Sequence, residues 1–158
     1  MKRKEKPLTF KWNKKFIYPK SVRSLVNDAR HYSVGDEKLP SVTTILSATQ
    51  SSEKRESLAR WQAKVGKNEA ERVKNVAGKR GTAMHQYLEY MVAEKNLLDL
   101  TEEGVEAQRM AEVVRDKGFN DLEEIWGSEV VLSYPGLYAG QTDLCGIYQG
   151  RESIIDFK

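Results

Sequence analysis

Apolar positions recur every three to four residues through the middle of the chain and change to short blocks and alternation towards its end. Leu58, Trp61 and Val65 predict a first helix opening at Ser52, with Ser52 as its cap and Glu53 and Glu56 near the positive end of the dipole. After Gly66, a second helix is predicted from about Asn68 to Glu94, bent near Gly78 or Gly81. One stripe of it carries Gly78, Gly81, Thr82, His85, Leu88, Glu89 and Val92, all within roughly 60° of His85 at 3.6 residues per turn. The glycines predict close approach of this helix to another element, and Met84, Tyr87 and Met91 form an adjoining core stripe. Thr101 caps a third helix that should stop at Lys117-Gly118. Nearer the start, Arg30 to Leu39 reads as two short strands about a Gly-Asp turn, and Ser41 or Thr43 caps a short helix.

The final third reads as strands. Ile125 to Tyr134 is one, Pro135-Gly136 a turn, and Gly136 to Lys158 a β-hairpin turning at Gln149-Gly150. The expected fold is therefore α+β, helices followed by a three-stranded antiparallel meander. With that turn Tyr148 faces Arg151, and counting back sets Asp143 opposite Asp156, Cβ atoms about 4.5–5.5 Å apart. Lys158 shares the face of Asp156, while Phe157 points the other way. Opposed carboxylates need neutralising, and a divalent metal does that. The bland reading is a solvated hairpin edge with cross-strand ion pairs. A two-residue turn at Pro135-Gly136 would set Ser128, not Glu129, across from Asp143, which leaves Glu129 as a site member or a surface charge.

Composition narrows the setting. The 158 residues suffice for one domain, with a net charge of +3 and a single cysteine, Cys145, which fits a reducing compartment. No apolar run is long enough to span a membrane, and the Lys-rich start lacks the apolar region of a secretory signal and the pattern of a transit peptide. Residues 1–30 read as a basic arm, loosest over 1–20, with Trp12, Phe16, Ile17 and Tyr18 anchoring it or stacking on bases. A second basic stretch runs from Lys54 to Arg80, while Asp99 to Glu124 is acidic. Basic surface of this kind suits a polyanion, although a solvated helix face is its commoner cause.

The ordered blocks Leu39-Pro-Ser-Val-Thr-Thr-Ile-Leu46, Leu58-Ala-Arg-Trp61, Arg80-Gly-Thr-Ala-Met-His-Gln-Tyr-Leu-Glu89, Trp126-Gly-Ser-Glu129, Gly140-Gln-Thr-Asp143 and Asp156-Phe-Lys158 cover the chain from about residue 30 onward. Together they resemble the RecB-like branch of PD-(D/E)xK nucleases, in particular the mitochondrial genome maintenance exonuclease family and its phage relatives. The resemblance implies a partial restriction-endonuclease-like core over 31–158, incomplete at the C-terminus, since the family continues beyond the lysine. It implies an exonuclease that hydrolyses phosphodiester bonds from single-stranded DNA ends, using Mg²⁺ or Mn²⁺ in a bacterial or phage-infected cytoplasm. By it, His85, Asp143, Asp156 and the carbonyl of Phe157 hold the metal, and Lys158 joins Asp143 and Asp156 in catalysis. Glu129, Glu89 and Gln141 become supporting positions, Glu89 as an orienter of His85 or as one half of a salt bridge. Arg80, Lys79, Lys64, Lys67 and Arg60 become candidates for DNA phosphates, with Trp61 as core. The alternative is a nucleic-acid-binding module or an inactive remnant lacking the rest of the nuclease.

Overall fold

A computed structural model describes residues 8–158. The described residues form an α+β fold, with two three-stranded antiparallel sheets and four α-helices. The first sheet precedes the helices: β1 (Ser21–Val26), β2 (Ala29–Val34) and β3 (Glu37–Pro40). α1 (Val42–Ala48), α2 (Ser52–Val65), α3 (Lys67–Val92) and α4 (Glu102–Gly118) follow. The predicted meander closes the chain as β4 (Leu122–Tyr134), β5 (Tyr138–Tyr148) and β6 (Arg151–Ile155).

The early sheet corrects the expectation of helices first. Its missed strand, β1, is joined to β2 by Asn27-Asp28, both at positive φ, so that Val26 pairs with Ala29. Two left-handed residues make the hairpin turn whose twist matches the strands, and Asn and Asp tolerate that region. The 1–30 segment is thus no free arm over its described part. Residues 1–7 lie outside the described residues. Beyond them, Lys11 to Asn13 bonds alongside β4, with Ile125 N–H on the Lys11 carbonyl at 2.8 Å and Asn13 N–H on the Ile125 carbonyl at 2.9 Å. The Trp12 indole donates to the Val92 carbonyl at 3.0 Å and Tyr18 Oη to that of Trp126 at 3.0 Å, while Ile17 is left in solvent. Glu124, nearly buried, accepts from the Trp126 indole, Asn13 and Lys11, which holds its carboxyl down at about 2.

Helix ends follow local chemistry. Ser41, Ser51 and Thr101 cap α1, α2 and α4, so the cap of α2 lies one residue before the one expected. Gly118 is the last residue of α4 with φ −102° rather than a left-handed stop, and the chain tightens into a 3-10 turn, Phe119–Asp121. α3 runs unbroken through Gly78 and Gly81.

The main core lies between α3, α4 and the C-terminal sheet. Met84, Tyr87, Leu88 and Val92 of α3 meet Ala107 and Ala111 of α4, with Phe119, Ile125, Leu144 and Phe157. Leu88, Ile125 and Leu144 are almost wholly buried, each contributing about 1.5–3 kcal/mol by leaving water. A smaller cluster of Tyr32, Leu39 and Ala139 seats the first sheet on the far end of the β4–β5 hairpin. α2 has no buried residue, so Trp61 is not core: it is 37% exposed and Leu58 50%. Among the described residues no helix is long and apolar enough to cross a membrane.

Candidate metal centre

Two turns set the register of the C-terminal sheet. Gln149 and Gly150 both have positive φ and close a two-residue turn that pairs Tyr148 with Arg151, as expected. The ladder continues to Leu144 and Ile155 and stops there, one step short of Asp143 and Asp156. At the other end, Leu137 N–H bonds the Tyr134 carbonyl at 3.1 Å with Pro135 and Gly136 between them and Gly136 at φ +73°. This is a type II turn, and the connection is three residues long, Tyr134 pairing with Tyr138. The extra residue shifts the register by one from the two-residue expectation. Val130 pairs with Thr142 and Ser128 with Leu144, so Glu129, between them, stands across from Asp143.

His85, Glu129 and Asp143 each offer a ligand atom within 4.8 Å of the others. His85 Nδ1 lies 3.1 Å from Asp143 Oδ1. With the carboxylate oxygen as acceptor, Nδ1 is the donor of this bond, which leaves Nε2 as the nitrogen open to a ligand. Asp143 is 8% exposed, and its other oxygen accepts the Phe157 N–H at 2.6 Å. Gln141 Nε2 donates to the Glu129 carboxylate at 2.5 Å. Burial, then the charges of Asp143 and Glu89, push the Glu129 carboxyl above its usual range. Glu129 also holds φ +54°, a costly conformation for a residue with a Cβ. Two carboxylates and an imidazole converging in this way suit a hard or borderline divalent cation.

The remaining expected residues are arranged around this group rather than in it. Asp156 stays outside: its carboxylate pairs with Lys158 Nζ at 2.8 Å, both side chains being largely exposed. Phe157 puts its ring in the core, edge-on to His85 with centroids 6.0 Å apart. Glu89 is exposed and reaches the site as a charge on Glu129; among the described residues the bond of His85 Nδ1 goes to Asp143. Gly78 and Gly81 do not bring α3 close, since a Cβ at either would meet nothing within 4 Å. His85 arrives instead because Met84, Tyr87 and Leu88 seat the second half of α3 on the sheet. Cys145 packs on Tyr18, Sγ to Oη 3.3 Å, in an apolar pocket with Phe16 and Trp126.

Of the basic candidates, Arg80 is engaged by Glu106 at 2.9 Å and Arg60 lies 3.7 Å from Glu56. Lys64, Lys67 and Lys79 are exposed, and Lys79 lines a groove with Lys74, Thr82 and Gln86. Glu129 was the member that sequence reasoning undervalued, and its signal was present. Proline fixes φ near −65°, which a two-residue hairpin turn does not admit at its first central position. No family model, no curated protein and no solved structure matches the chain.

Proposed function

We propose that this chain is a metal-dependent deoxyribonuclease of the PD-(D/E)xK kind, hydrolysing phosphodiester bonds from single-stranded DNA ends. The observation that carries this reading is the convergence of His85 from α3, Glu129 from β4 and Asp143 from β5 within 4.8 Å. These three would hold Mg²⁺ or Mn²⁺, while Asp156, just past the end of β6, would act through its pairing with Lys158. A bound ion would acidify a coordinated water and draw charge from a phosphoryl oxygen. The residues supply the rest. Phe157 N–H fixes one Asp143 oxygen and His85 the other, so that carboxylate is preorganised. Gln141 does the same for Glu129. Lys158 offers an ammonium beside Asp156, where negative charge would develop on the phosphate.

The test has two parts. Titration calorimetry with Mn²⁺ should show one site in the wild type, lost in Asp143→Asn and weakened in His85→Ala. Incubation of end-labelled single strands with Mn²⁺ should shorten them, and Lys158→Ala should abolish shortening while leaving binding to the strand nearly intact. Absence of a saturable metal site in the wild type would overturn the assignment. One feature favours a binding module without turnover, namely that Lys158 is occupied by Asp156. On that reading the wild type binds DNA and Mn²⁺ and never shortens the strand.

A further inference from the structure

α2 leaves its apolar stripe only partly covered. Leu58 and Trp61 are exposed, no residue of the helix is buried, and no hydrogen bond or ring contact engages the Trp61 indole among the described residues. At 3.6 residues per turn, Lys54, Ser57, Leu58, Lys64 and Val65 all fall within roughly 60° of Trp61. The stripe is therefore narrow, and an ammonium stands on it before and after the ring.

Charge decides what fits there. Lys54, Arg55, Lys64, Lys67, Lys74 and Lys79 have no carboxylate partner among the described residues. The acidic groups nearby are partly engaged, Glu56 beside Arg60 and Glu69 on Arg72 at 2.7 Å. A second copy packed on this face through a two-fold axis would set these cations against themselves. A core-type helix partner would strip water from Lys54 and Lys64 without pairing them. A single nucleic-acid strand meets both demands, because its phosphates pair the lysines and its bases have apolar faces for the ring.

We propose that α2 is a docking face for single-stranded DNA, with Trp61 stacked on a base between phosphates held by Lys54 and Lys64. The proposal rests on the nuclease reading for its ligand and adds a residue that does no chemistry. Because no residue of the helix is buried, substitutions on it should leave the fold intact, and unchanged circular dichroism and melting temperature check this for each variant.

The experiment uses the whole chain in EDTA, where turnover is absent, with fluorescein-labelled (dT)20 as probe. Anisotropy should show salt-dependent binding, and Trp61→Ala should weaken it on the order of ten-fold with little change in salt slope. Trp61→Phe, which keeps a ring, should recover most of that loss. Lys54→Gln with Lys64→Gln should lower the slope of log K against log salt by about 1.4, roughly 0.7 for each phosphate contact. Wild-type affinity in Trp61→Ala would overturn the proposal, as would failure of the wild type to bind (dT)20. Sedimentation showing a dimer that Trp61→Ala dissolves would reassign the face to self-association. The nuclease reading fails separately: strand binding through Trp61 with no Mn²⁺ site and no shortening would sink that reading and leave the docking face standing.

Discussion

α2 and the second half of α3 carry the same sequence pattern and opposite structures. Both show apolar residues at three- and four-residue spacing, and both are well-formed helices. Met84, Tyr87, Leu88 and Val92 are closed in by α4 and the C-terminal sheet, whereas Leu58 and Trp61 face solvent. Periodicity marks which residues want covering and is silent on what covers them. In α3 the cover is written later in the same chain. In α2 nothing described closes over Leu58 and Trp61, and Lys54 and Lys64 share the stripe with them.

That contrast is sharpest in matched truncations. Leu88→Ala should cost about 2–5 kcal/mol, because it leaves a cavity in a closed core. Leu58→Ala should stay within about 0.5 kcal/mol. Urea unfolding of the two variants under one set of conditions measures both, and similar losses would mean that α2 is covered in solution.

Glycines extend the comparison. A Cβ on Gly146 of β5 would collide with the Glu124 carbonyl, so Gly146→Ala should lose about 3 kcal/mol or more. Gly78 and Gly81 of α3 have open space, and alanine at either should gain up to ~1 kcal/mol from helix propensity. Melting temperatures moving in opposite directions would bear this out, while a loss at Gly78 would mean that something lies against α3 there.

Two carboxylates on the covered side sharpen it by pH. The Glu124 carboxyl is held at about 2 by Trp126, Asn13 and Lys11, against roughly 4.3 when unfolded. Its contribution is complete above the unfolded value and is lost as pH falls through the folded one. Glu124→Gln should therefore be less stable than wild type at pH 7, and the gap should narrow as pH falls from about 4.3 towards 2. Glu129 has the reverse sign. Its carboxyl is raised, so its contribution is present at low pH and lost as pH rises through the folded value. Glu129→Gln should be the more stable protein at pH 7 in EDTA, by a small margin that vanishes below about pH 4. Saturating Mn²⁺ should invert that order if Glu129 is a ligand, and the same ranking with and without the ion would remove it from the site.

Much of the fold was legible in the sequence, and what escaped had local reasons. Three helices, the meander and the Gln149-Gly150 turn follow from spacing and turn chemistry. β1 escaped because Asn27-Asp28 sits inside a basic, irregular stretch and is a quieter turn signal than Asn-Gly. Trp61 was misjudged because an aromatic on a periodic stripe is usually core. The site was legible as an acidic hairpin near His85, but its third member depended on whether Pro135-Gly136 closes a turn of two residues or three. The glycines of α3 suggested the right neighbour for His85 by a wrong route.

The pairing of Lys11 to Asn13 with β4 has a consequence in time. Those residues wait for a partner, Ile125, more than a hundred positions downstream, and the apolar face of α3 waits for Ile125, Leu144 and Phe157. The β1–β3 ladder is made of neighbours in sequence, but its buried Tyr32 and Leu39 wait for Ala139 as the main core waits for Ile125. Contacts closing so large a loop form late and slow folding. During synthesis the wedge of Met84, Tyr87 and Leu88 stays uncovered until the C-terminal strands arrive, a surface that a chaperone would meet.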